Sequence, residues 1–219
     1  MSNTPRHPRH PEGSQAEVLK TTPFVDAYLQ ELAEKYFRVL MLHSRGGITG
    51  EWSNVSDHCI IEAAIAEHLS GMLNLTLTEA RRLCRAALAH DWDKRLERTG
   101  TPANTACIEG MHDADVDWQL VRVTHPDQIH RIEELAKKAV LSTEEILFYI
   151  DNICKGSEVV TLEERLADVQ HRGGLNGASA DRELRVSLDI EKKIIDHLVL
   201  QKIVIPPELS LPAFLKKAV

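Results

Sequence analysis

The sequence predicts an all-α fold. Ala, Leu, Ile, Glu and Lys, which propagate helices well or fill their faces, dominate the chain, while aromatic residues make up only 5%. Apolar residues recur at helical spacing, and alternation of the strand type is hard to find. Three Ser/Thr-x-x-Glu segments, "TLTE" from Thr76, "STEE" from Ser142 and "TLEE" from Thr161, carry the capping-box signature of a helix start. At 219 residues the chain is long enough for one sizeable core and short for two.

Residues 1–16, "MSNTPRHPRHPEGSQA", are rich in Pro, His, Arg and Ser and read as a disordered tail whose histidines would bind metal only adventitiously. The remainder, 17–219, reads as a single helical domain. A first helix is expected over 24–44, ended by "RGGITG". A second is expected over 55–73, with Ile61, Ala64, Ile65, His68, Leu69 and Met72 on one face. The third starts at Thr76 and runs through Leu83, Cys84, Ala87 and Leu88 to "AHDWDKR". Residues 95–113 form a loop by their Gly, Pro, Thr and Asn content.

Pro126 suits the first turn of the next helix. Two capped helices follow, "EILFYIDNIC" and "RLADVQHR", and "HRGGLNGASA" reads as a linker. The last helix is expected over 180–202, closed by "IPPELSLP". Its Leu188, Ile190, Ile194, Ile195, Leu198 and Leu200 suit either core or a dimer face.

Composition narrows the function classes. A formal net charge of −7 argues against a protein that coats nucleic acid or an acidic membrane, though not against a local basic pocket for phosphate. The cysteines Cys59, Cys84, Cys107 and Cys154 form no CxxC pair, and no leader or membrane-length apolar run is visible. Reduced thiols and a cytoplasmic location are therefore expected.

Polar residues interrupt the apolar stripes in three places. His58 precedes Ile61 and Ile65 by three and seven residues, which places it on the apolar face of the second helix. Asp91, with His90 beside it, continues the stripe of Ala87 and Leu88. Asp151 lies four residues after Leu147 and three before Cys154. Inward imidazoles and carboxylates are costly unless paired, hydrogen-bonded or bound to metal. Two His and two Asp from three helices can answer that cost together by holding a divalent ion, for which Mn, Fe, Zn, Ni, Co and Mg are all candidates.

Over roughly residues 50–170 this pattern resembles the HD-domain superfamily of metal-dependent phosphohydrolases. In that family a His opens one helix, a His-Asp doublet ends a later one inside a pattern like "AALLHDIGK", and an Asp follows further on. His58, His90–Asp91 with its "AALA" lead-in and Lys94, and Asp151 match those positions. The resemblance implies an HD-type helical bundle whose metal ligands are His58, His90, Asp91 and Asp151. It also implies His125, in "LVRVTHPD", as a residue near the site, and His112 with His125 as ligands of a second ion.

Asp91, Lys94 and His125 are the expected catalytic residues, and Lys94, Arg95 and Lys155 the expected phosphate partners. Arg81 and Arg82 read as surface. Trp92 and Asp93 stand where the family often has Gly, and Trp92 reads as a packing residue or a substrate wall. The Glu-Asp pair that accompanies hydrolysis of the alarmone guanosine tetraphosphate is not evident after the doublet. The expected activity is hydrolysis of a nucleotide or other small phosphate ester. A two-iron oxygenase and a non-catalytic ligand sensor on the same fold, dimerising as a homodimer through the last helix, are the alternatives.

Overall fold

The computed structural model describes residues 53–91, 116–173 and 176–217. The expected tail, the helix at 24–44 and the loop at 95–113 lie outside them, as do Trp92, Asp93, Lys94, Arg95, Cys107 and His112. The described residues form eight α-helices: α1 (Ser53–Met72), α2 (Leu77–Ala89), α3 (Trp118–Val121), α4 (Ile129–Ala136), α5 (Thr143–Asn152), α6 (Leu162–His171), α7 (Gly177–Leu200) and α8 (Leu211–Leu215). Two 3-10 turns, Arg122–Thr124 and Pro126–Gln128, join α3 to α4. The chain is helical as its composition predicts.

The turn between α1 and α2 sets the geometry of everything around it. Asn74 adopts a left-handed φ of 54°, which a short polar side chain tolerates. Its N–H donates to the Gly71 carbonyl, and the Leu75 N–H reaches back to the Ser70 carbonyl, the two bonds of a Schellman stop. Thr76 then starts α2: its hydroxyl accepts from the Glu79 N–H, and the Glu79 carboxylate accepts from the Thr76 N–H. The result is an antiparallel helix pair. His58 and His90 are equidistant in sequence from Asn74, so the pair brings them to the same level.

The second helix is more deeply buried than one stripe implies. Cys59, Ile60, Ala63, Ala64, Ile65 and Ala66 are all buried, because α1 packs against α2, α5 and the short strand after α5. His68, expected on the inner face, is exposed.

Ser142 and Glu145 form the capping box that starts α5, and Thr161 and Glu164 the one that starts α6. Between them lies an element absent from the sequence reading: β1 (Cys154–Lys155) pairs antiparallel with β2 (Glu158–Val159). Gly156 supplies the positive φ, 57°, that its tight turn requires. The last helix begins at Gly177 rather than at 180, because Asn176 caps it by accepting from the Ser179 N–H. It also ends two residues earlier than expected, at Leu200. Within "IPPELSLP", expected only to close that helix, "SLP" opens α8, with Ser210 as cap and a proline in the first turn.

α7 lies across α4, α5 and α6. Ile190, Ile194 and Leu198 are fully buried in the core, whereas Leu188 and Leu200 are exposed, so the helix splits the apolar residues expected on it. Arg82, expected at the surface, is half-buried and bonds Asp117, the cap of α3, at 2.6 Å. No helix among the described residues is long and apolar enough to cross a membrane.

One buried ion pair ties α7 to α5. The Lys193 ammonium donates to Glu145 Oε1 at 2.6 Å and to the Leu135 carbonyl at 3.2 Å. The two side chains are 10% and 0% exposed. Removing one member of such a pair leaves a buried charge uncompensated. Lys193→Ala is therefore expected to destabilise the fold by about 3–5 kcal/mol, read as a fall in the urea midpoint at unchanged slope; a loss below about 1 kcal/mol would mark the pair as solvated.

Candidate metal centre

Four side chains from three helices converge beneath the α1–α2 pair. The donor atoms of His58, Glu62, His90 and Asp151 all lie within 4.8 Å of one another. His58 and Glu62 come from successive turns of α1, His90 caps α2, and Asp151 closes α5. The two imidazole rings meet edge-on with centroids 5.1 Å apart.

Backbone carbonyls orient both rings. Nδ1 of His90 donates to the Ala87 carbonyl at 2.9 Å, and Nδ1 of His58 to the Gly156 carbonyl at 3.3 Å. His58 then turns Nε2 toward the cluster, whereas His90 lies against it with both nitrogens, its Nδ1 being also 3.3 Å from Glu62 Oε2. His58 Nε2 is 2.9 Å from Glu62 Oε1, 3.4 Å from Asp151 Oδ1 and 3.9 Å from Asp91 Oδ2. His90 Nε2 is 3.1 Å from Asp91 Oδ1 and 3.8 Å from Asp151 Oδ1. The unexpected β-hairpin thus has a use: its turn carries the carbonyl that orients His58.

The electrostatics favour a positive charge at this point. Burial by itself would keep His58 neutral, yet Glu62, Asp151 and Asp91 outweigh it and push the ring up to about 10. Burial is likewise overcome at His90, which Asp91 and Glu62 raise well above the usual imidazole range. A divalent cation would satisfy the same field through the same nitrogen lone pairs.

The hydrogen-bond inventory points the same way. Glu62 is 0% exposed, and among the described residues neither of its oxygens has a partner in hydrogen-bonding geometry, nor has His90 Nε2. A buried carboxylate in that condition is expensive. Protonated His58, 2.9 Å away, offsets part of that cost; a bound cation would offset it in the same way, and the nitrogen and carboxylate donors suit a divalent transition metal. This cluster could hold a metal ion.

No family model, curated protein or solved structure matches the chain.

Of the expected site residues, the structure brings His58, His90, Asp91 and Asp151 together. Asp91 is buried and touches both histidines, but Glu62 rather than Asp91 belongs to the tightest group of donors. His125 caps the Arg122–Thr124 turn and is not part of that group. Lys155 stands on β1, half-exposed, 3.2 Å from Asp168 and outside the cluster. Lys94, Arg95 and His112 lie outside the described residues.

Sequence reasoning missed Glu62 and Arg165. Glu62 follows His58 by one helical turn inside the apolar run "CIIEAAIA", which was the available signal. Arg165, on α6, gave none, because a cation in "LEERLADV" looks like any solvated helix charge. Its side chain is only 11% exposed; Nη2 is 3.4 Å from Asp151 Oδ1 and Nε donates to the Asp151 carbonyl at 3.3 Å. Cys154 is also buried near the centre. Burial, with Glu62 and Asp151, pushes its thiol up, and it is not among the tightest group of donors.

Glu183 on α7 is a further carboxyl in this field. Burial and the Asp151 charge raise it from 4.5 to about 7, with Arg165 opposing. In the unfolded chain it ionises near 4.5, so folding takes up a proton between that pH and 7. Its burden on stability is absent at acid pH, grows across this window and is complete above it. Glu183→Gln is expected to raise the melting temperature of chelator-treated protein at pH 8 and to leave it nearly unchanged at pH 4. An equal shift at both would show that Glu183 titrates normally.

Proposed function

We propose that the chain is a metal-dependent phosphohydrolase acting on a nucleotide or another small phosphate ester, with a divalent ion held by His58, Glu62, His90 and Asp151 and bordered by Asp91. The observation that carries the reading is the Glu62 side chain, fully buried with His58 at 2.9 Å and His90 at 3.3 Å, neither contact in hydrogen-bonding geometry. The H…HD…D spacing of the sequence, which resembles the HD-domain superfamily, supports the same assignment.

A bound ion would supply Lewis acidity, lowering the pKa of a water and polarising a phosphoryl oxygen. The chain's own residues divide the remaining work. Gly156 and Ala87, through their carbonyls, keep both imidazoles aimed inward. Asp91, at the edge of the donor group, is placed to accept a hydrogen bond from the attacking water and orient it. Arg165 holds Asp151 in place and offers positive charge beside it. Lys94 and His125 retain the expected role of stabilising charge on the phosphate or leaving group, and Lys94, Arg95 and Lys155 that of binding phosphate.

Protein purified without chelators is expected to carry a divalent ion and to release phosphate from at least one member of a nucleotide and phosphate-ester panel. Chelation should abolish turnover and restoring Mn, Fe, Co, Ni, Zn or Mg should recover it. Asp91→Ala should lose on the order of 100-fold in rate while the helical circular dichroism survives. Protein with no specific ion, or an Asp91→Ala variant with full activity, would sink the assignment.

A further inference from the structure

A line of cations leads from the metal centre to the surface. Arg165, 11% exposed, contacts Asp151 at 3.4 Å and Asp168 at 3.8 Å on its other side. Asp168 is shared: Lys155 Nζ lies 3.2 Å from one of its oxygens and Arg172 Nη2 2.7 Å from the other. Asp168 is 19% exposed, whereas Lys155 and Arg172 are 50% and 51% exposed. Two elements converge here, since Lys155 is on β1, Arg165 on α6 and Arg172 at the C-cap of α6.

The charge count matters. If Asp151 is committed to an ion, Arg165, Lys155 and Arg172 share the carboxylate of Asp168, with Glu183, raised by burial to about 7, as a further carboxyl in the field of Arg165. Positive charge is then in excess at neutral pH, arranged from a buried end at Asp151 to an open end in solvent. Helix-end solvation explains one exposed Arg; it does not explain a buried Arg and a hairpin Lys directed at the same carboxylate. Consecutive phosphates of one chain carry the complementary pattern: several negative charges in a row, one end at a metal and the rest on guanidinium and ammonium donors.

We infer that Lys155, Arg165 and Arg172 form a phosphate-chain subsite, so that the substrate is an oligophosphate, such as a nucleoside di- or triphosphate, in preference to a monophosphate. The inference rests on the phosphohydrolase reading above for the reaction, but the subsite itself can be tested by binding alone. Arg165 takes the phosphate next to the metal-bound one. Lys155 and Arg172 take the outer one, exchanging their hold on Asp168 for the ligand.

Two measurements on the full chain, with Mn present, test this. Calorimetric titration should find that inorganic tripolyphosphate binds at least about tenfold more tightly than orthophosphate, and that the Lys155→Ala/Arg172→Ala double variant loses that preference. Arg172→Lys should keep part of it. In turnover, the ratio of kcat/KM for nucleoside triphosphate over monophosphate should fall about tenfold in the double variant, mainly through KM. A melting temperature close to that of the parent will certify folding, because both side chains are half-exposed.

If no substrate is hydrolysed but tripolyphosphate still binds with the expected preference and the double variant loses it, the subsite stands and the phosphohydrolase reading falls. If the chain hydrolyses phosphate esters and the double variant leaves the triphosphate preference intact, the subsite falls alone. Equal binding of tripolyphosphate and orthophosphate to the parent would also overturn it.

Discussion

The structure turns on one buried charge. Glu62 sits near the middle of α1, wholly shielded from water, with a histidine at each oxygen and no hydrogen bond in good geometry. A carboxylate does not stay in such a place for packing; an apolar residue of similar size would fill the space at less cost. It persists when a positive charge is held against it. Once that need is accepted, the neighbours follow. His58 turns Nε2 and His90 its Nδ1 toward Glu62, Asp151 and Asp91 approach from other helices, and Arg165 balances Asp151 from behind.

Precision in such a centre depends on parts that do not touch it. The Schellman stop at Asn74 and the capping box at Thr76 fix the length and angle of the α1–α2 turn, and so the level at which His58 meets His90. Apolar residues on both sides of these ligands lock the helices to the core. The hairpin at Gly156 reaches over to hold the outer nitrogen of His58. The Lys193–Glu145 pair anchors the start of α5, whose other end carries Asp151. Elements distant in sequence therefore act on one small volume, as a site held to a fraction of an ångström requires.

Much of this was legible in the residues because local physics wrote it. The three capping boxes mark helix starts that form as expected, since a Ser or Thr three residues before Glu has few other uses. His58, His90, Asp91 and Asp151 could be singled out because polar groups on apolar stripes demand a partner. Glu62 escaped for the opposite reason: on a helix buried nearly all round there is no single stripe for it to interrupt. His68 was placed inside by the same error of assuming one face. The β-hairpin is too short to show alternation, and Arg165 is buried by tertiary packing that no local pattern announces. The start of α7 was hidden by Gly177, a poor helix former made helical by the cap at Asn176.

The central claim is that a divalent ion belongs between Glu62 and the two imidazoles. Anomalous diffraction from crystals grown with Mn tests it directly, because the signal locates the ion without reference to activity. The account predicts a peak about 2.0–2.3 Å from Nε2 of His58, a ring nitrogen of His90 and carboxylate oxygens of Glu62 and Asp151. A map with no peak there, or with Mn only at the histidines of the "RHPRHP" segment, would contradict it.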